Sequence, residues 1–102
     1  MMAIIRNSTA TRVGEVDYNG TILDASYRRV GEVDANGTIR NSSYTTIGHV
    51  EQNGTIRNSS YTTVGHVEAN GNILNSSYRK IGEADGGGMV QMGGAAFLLL
   101  PL

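Results

Sequence analysis

The chain has 102 residues, a formal net charge of −1 and no cysteine, which excludes disulfides and any global pull toward nucleic acid or anionic membrane. Fourteen glycines against one proline, Pro101, in a chain 39% hydrophobic fit many tight turns between strands better than a disordered linker. This length makes one domain, 1–102, burying roughly two-thirds of its unfolded surface.

The first residues, Met1-Met2-Ala3-Ile4-Ile5-Arg6-Asn7, place no basic segment ahead of a long apolar core. No secretory signal is therefore expected, and the cytoplasm is the default compartment. Past this stretch the chain repeats. Val13-Gly14-Glu15-Val16-Asp17 recurs as Val30-Gly31-Glu32-Val33-Asp34, Ile47-Gly48-His49-Val50-Glu51, Val64-Gly65-His66-Val67-Glu68 and Ile81-Gly82-Glu83-Ala84-Asp85. The spacing is 17 throughout, so units start at about 13, 30, 47, 64 and 81. Asn19-Gly20-Thr21-Ile22 recurs with the same period, and Tyr27, Tyr44, Tyr61 and Tyr78 close four units.

Asn-Gly between β-branched residues is a strong hairpin signal. A two-residue turn on Asn19-Gly20 would send Val16 and Ile22 to opposite faces. A three-residue loop over Tyr18-Asn19-Gly20 pairs Asp17 with Thr21 and Val16 with Ile22, so the repeated aliphatics share a face. That register predicts strands near 13–17 and 21–25 in every unit, with Gly20 and its equivalents left-handed and Asp17 accepting backbone N–H bonds. Gly14 and its equivalents, Gly31, Gly48, Gly65 and Gly82, sit inside the first strand, which implies close approach of a neighbouring backbone or ring, such as the tyrosine of the next unit. An isolated hairpin is marginal, so each unit must bury Val16 and Ile22 against its neighbours.

The ends keep the phase. Ile5-Arg6-Asn7-Ser8 matches Ile39-Arg40-Asn41-Ser42, and Leu98-Leu99-Leu100 falls in phase with Val13-Gly14-Glu15, leaving half-units 1–12 and 95–102. A strand over 3–6 would then pair with one over 97–100 as a sixth, split unit. The alternative is that the apolar tail covers an exposed end. A tail from Ala95 to Leu102 is far shorter than the ~20 residues that span a bilayer. Phe97-Leu98-Leu99-Leu100-Pro101-Leu102 also offers a surface for a second copy, giving a homo-oligomer.

The pattern Val-Gly-x-Val-x-x-Asn-Gly-x-Ile-x-x-x-x-Tyr resembles the β-flower type of small bacterial proteins, in which short hairpins radiate around an axis. The resemblance implies an all-β fold, a closed ring of 17-residue β-hairpin repeats, and implies no activity. The alternative architecture is a β-solenoid with one unit per coil, although solenoids need polar end caps and both ends here are apolar.

The candidate chemistry sits at recurring positions. The third position of each unit, Glu15, Glu32, His49, His66 and Glu83, supplies two histidines and three carboxylates, a donor set suited to a divalent metal if the ring converges them. The alternative is a solvated strand face with cross-strand pairs, Glu32 opposite Arg40 and His49 opposite Arg57. The fifth position, Asp17, Asp34, Glu51, Glu68 and Asp85, makes an acidic rim for cations or a basic partner, or serves turn chemistry. Arg12, Arg28-Arg29 and Arg79-Lys80 make a basic patch or balance that rim. The four tyrosines make a stacking platform for sugars or wedge between units. No nucleophile–base pair, phosphate loop or zinc spacing is present in the sequence, so no cofactor is implied. The expectation is a non-enzymatic structural or interaction module, with a ligand-binding repeat module for carbohydrate or divalent metal as the alternative.

Overall fold

The computed structural model describes residues 3–99. Ten antiparallel strands run β1 (Ala3–Asn7), β2 (Arg12–Val16), β3 (Thr21–Asp24), β4 (Arg29–Val33), β5 (Thr38–Asn41), β6 (Thr46–Val50), β7 (Thr55–Asn58), β8 (Thr63–Val67), β9 (Asn72–Asn75) and β10 (Lys80–Asp85). One helix, α1 (Met89–Leu98), follows. Each strand pairs with its sequence neighbours, and β1 pairs with both β2 and β10, so the sheet closes into a barrel.

The three-residue loop and its register hold. Val16 pairs with Ile22, Val33 with Ile39, Val50 with Ile56 and Val67 with Ile73. All eight side chains are buried and face the axis. Each Ile or Val taken fully out of water contributes about 1.5–3 kcal/mol, so this stacked aliphatic ring is what holds the hairpins to one another. Between units the ladder carries a bulge: Ile22 pairs with Gly31 but Leu23 with Arg29, leaving Val30 as the extra residue. The same shift recurs at Val13, Ile47, Val64 and Ile81. Bulges tighten the bend that a closing sheet requires, and here each one adds an aliphatic that packs on the core.

The ring has five pairs, and the C-terminal segment corrects the expected sixth. β1 pairs with β10, Ile5 opposite Ala84, and does not meet a strand over 97–100. Phe97 and Leu98 end α1, while Leu100 to Leu102 lie outside the described residues. Ten strands enclose more space than their own side chains fill, and α1 occupies it. Its sequence, MVQMGGAAFL, carries one polar side chain, as a helix surrounded by apolar wall requires.

Helix and wall are complementary in two layers. Where the wall carries Val33, Val50 and Val67, the helix carries Gly93, Gly94, Ala95 and Ala96. A Cβ on Gly94 would lie 2.5 Å from the Val33 Cβ, and one on Gly93 would meet Val50. Where the wall carries glycine, the helix turns large: Leu99 lies against Gly14, Leu98 against Gly31 and Phe97 against Gly48, at 2.6, 2.6 and 3.0 Å from a notional Cβ. The strand glycines therefore answer to α1 and to the carbonyls of Leu23, Arg40 and Arg57 on the adjacent strand, and not to a neighbouring tyrosine.

Candidate functional site

Both rims of the barrel use one turn. At the first, Asp17 Oδ1 accepts the N–H groups of Asn19 and Thr21, the Gly20 N–H donates to the Asp17 carbonyl, and Gly20 has φ +90°. At the other, Asp24 Oδ1 accepts from the N–H groups of Ser26 and Arg28, the Tyr27 N–H donates to the Asp24 carbonyl, and Tyr27 has φ +65°. Asn41, Asn58 and Asn75 repeat this arrangement for Tyr44, Tyr61 and Tyr78.

The rims differ in what lies beyond the left-handed residue. The Gly20 carbonyl accepts from the N–H of Val33 on the next hairpin, and a Cβ on Gly20 would run into the Val33 carbonyl. That rim has no room for a side chain. The opposite rim is open, so its left-handed residue can carry one despite the roughly 1–2 kcal/mol of backbone strain. Tyr27, Tyr44, Tyr61 and Tyr78 are 64–74% exposed. They do not wedge between units; each sits over the outer face of the wall. Ala10, φ +64°, completes the fifth turn with no ring at all.

Beneath the tyrosines the five units diverge. Arg12 lies 4.3 Å from the Tyr27 ring centre, with Nη2 2.6 Å from Glu15 Oε1 and Nη1 donating to the Ala25 carbonyl. Arg29 repeats this under Tyr44, 4.4 Å from the ring centre, with Glu32 at 3.0 Å and the Ser42 carbonyl. The third and fourth units replace Arg and Glu by Thr46 with His49 and Thr63 with His66. His66 stacks on Tyr78, ring centres 4.3 Å apart and planes 14° from parallel. At Tyr61 there is instead a cleft of about 160 Å³, lined by Thr38, Thr46, His49, Asn58, Ser59 and Tyr61 among others. The fifth unit pairs Lys80 and Glu83 with the ringless Ala10 turn.

The third-position residues, Glu15, Glu32, His49, His66 and Glu83, therefore lie on every second strand, about 9–10 Å apart around the wall. Among the described residues no three His, Cys, Asp or Glu side chains come together to hold a metal ion. Glu32 does face Arg40, and His49 faces Arg57, across their hairpins. At the fifth position Asp17 and Asp34 cap their turns. Glu51 and Glu68 do not: there Asn53 and Asn70 accept the N–H groups of Thr55 and Asn72 instead. Glu51 pairs with Arg57 at 3.1 Å, Glu68 accepts from the Asn72 amide, and Asp85 stands 3.9 Å from Arg6. The Asp34 carboxyl lies below its ordinary value. Partial burial alone would raise it, but bonds from the Thr38 N–H, the Arg40 guanidinium and the Asn36 N–H together hold it low. Of the basic residues, Arg12 and Arg29 are committed to these internal pairs and do not form a patch.

A second cavity, about 410 Å³, opens at the glycine rim between Tyr18, Asp34 and Gln52 on the turns and Met89, Val90 and Gln91 on α1. Tyr18 is 70% exposed there. Phe97, Leu98 and Leu99 pack on the barrel core, and no helix among the described residues is long and apolar enough to cross a membrane.

A family model described as 5-fold beta-flower protein matches residues 2–100. No curated protein and no solved structure matches the chain.

Proposed function

This chain belongs to the 5-fold β-flower family, and we propose that within that scaffold it is a non-enzymatic interaction module whose working surface is the tyrosine rim. One observation carries the reading. Four tyrosines hold a backbone conformation that glycine adopts more cheaply, and they expose most of their rings. Ala10 closes the same turn without an aromatic. Tyr27, Tyr44 and Tyr78 also cover Arg12, Arg29 and His66, but Tyr61 faces an open cleft, and its bulky ring at a strained and exposed position is better explained by contact with something outside the fold.

Tyr61, which has neither an arginine nor a stacked histidine over its face, isolates this idea. Replacing Tyr61 by Gly relieves about 1–2 kcal/mol of left-handed strain and adds about 0.5–1 kcal/mol of unfolded-state entropy. The expected thermal stability of Tyr61→Gly is therefore within about 1 kcal/mol of the parent chain. A loss of more than about 2 kcal/mol by calorimetry would make the ring a structural part and end the reading.

A further inference from the structure

We propose that the cleft between Thr46, His49 and Tyr61 binds one uncharged pyranose per chain, its apolar face laid on the Tyr61 ring. This deepens the tyrosine-rim reading and rests on it.

The neighbouring units show what the groove accepts. In units one and two it is filled from within: the arginine guanidinium lies flat on the tyrosine, and its edge is held by a carboxylate and a backbone carbonyl. A flat group with an edge of hydrogen-bonding atoms is thus the shape that fits between strand and ring. Unit three shortens the arginine to Thr46 and exchanges the carboxylate for His49, and the space opens to about 160 Å³. Unit four makes the same two exchanges, but His66 closes on Tyr78. Among the described residues, the third unit alone has neither an arginine nor a histidine stacked on its tyrosine.

The lining then selects by charge. No carboxylate lines the cleft, so a cationic guest would lack the partner that Glu15 and Glu32 give the built-in guanidinium. Arg57, opposite His49, is engaged by Glu51 Oε2, the Tyr61 carbonyl and Thr63 Oγ1, and it does not line the cleft. An anionic guest therefore finds no guanidinium or ammonium group in the lining. The residues that line the cleft are Tyr61, which brings an aromatic ring, Thr38, Thr46 and Ser59, which bring hydroxyls, and His49, Asn58 and Gly48. The Asn58 Oδ1 already serves its turn, which leaves the amide N–H₂ to donate. Donors and acceptors with no carboxylate, guanidinium or ammonium group among them, set round one aromatic residue, match a sugar ring with one apolar face and a rim of hydroxyls. A cleft this small engages one ring, so millimolar affinity is expected.

The test is a nuclear magnetic resonance titration of the full chain with a panel of methyl pyranosides, alongside adenosine and uridine. The expected result is saturable, millimolar shifting of the His49 and Tyr61 ring signals by at least one pyranoside, at one site per chain. The double variant Thr46→Arg/His49→Glu rebuilds the filled groove of units one and two. It is expected to keep the parent circular dichroism spectrum and lose affinity by more than about tenfold, a difference of 1.4 kcal/mol. Three results overturn the proposal: no pyranoside moves either ring, a nucleoside binds there in preference, or the folded double variant binds sugar as the parent does. The Tyr61→Gly stability measurement decides the wider reading separately, so a failure of this proposal alone is distinguishable from a failure of that reading.

Discussion

Tyr27, Tyr44, Tyr61 and Tyr78 occupy the left-handed region that Gly20, Gly37, Gly54 and Gly71 occupy at the other rim, and the side-chain cap of the tyrosine turns recurs at Asp17 and Asp34. The glycine turns were legible in the sequence because Asn-Gly is a known signal and Asp17 stands three residues before Gly20. The tyrosine turns carried the same spacing, Asp24 to Tyr27 and Asn41 to Tyr44, but an aromatic in the left-handed region is uncommon enough that the spacing alone did not suggest it. The substitution of Glu51 and Glu68 for Asp was legible as poor turn chemistry, and the transfer of the cap to Asn53 and Asn70 is its resolution. Asp34 leads to a prediction at this scale. Its carboxyl is held below the ordinary value in the fold, so its charged form adds stability that is complete above the ordinary carboxylate range and lost as pH falls through the lowered value. Asp34→Asn keeps the turn-capping oxygen but removes that charge. The variant should be less stable than the parent at neutral pH by under about 1 kcal/mol, and the gap should narrow below pH ~4, as read from urea denaturation at several pH values.

The element that escaped the sequence reading is α1. Leu98-Leu99-Leu100 falls on the strand phase of the repeat, which fits either pairing with β1 or covering an exposed end, and neither reading contains a helix. The preceding Gly93-Gly94-Ala95-Ala96 has little β propensity, and that was the signal against a strand. Its meaning is steric and becomes visible only when the wall of valines is in place. Gly94→Ala tests it. In an exposed helix this exchange stabilises by about 1 kcal/mol. Here the new methyl lands on the Val33 side chain, so the sign should reverse, with a loss of about 1–3 kcal/mol. Adding Val33→Ala should recover part of that loss, and a double-mutant cycle on melting temperature measures the coupling.

For the molecule as a whole, the period and the in-phase N-terminus made a closed ring legible, whereas the number of units depended on what the tail did. With α1 inside, β1 and β10 meet and five units close the circle. The candidate cleft was half legible: His49 and the tyrosines stood out, but that Tyr61 lies above His49 and Thr46 follows from the bulged geometry between strands. Ending the chain after Gly88 removes Met92, Ala95 and Ala96 from the core and the three large side chains that meet the strand glycines. That truncation should lose its cooperative thermal transition and bind a hydrophobic dye, as states with secondary structure but no fixed packing do. A cooperative melt at the parent temperature would show that the ring stands without its helix. The place of α1 in the chain has a further effect. During synthesis from the N-terminus, hairpins form from contacts a few residues apart in microseconds, but the piece that fills their common interior is translated after all ten strands. Until it arrives, the nascent chain carries row upon row of inward-facing Val and Ile with nothing to cover them and, before β10 emerges, an open strand edge on β1. The time between translating β2 and translating α1 is thus the period in which this protein is most exposed to aggregation.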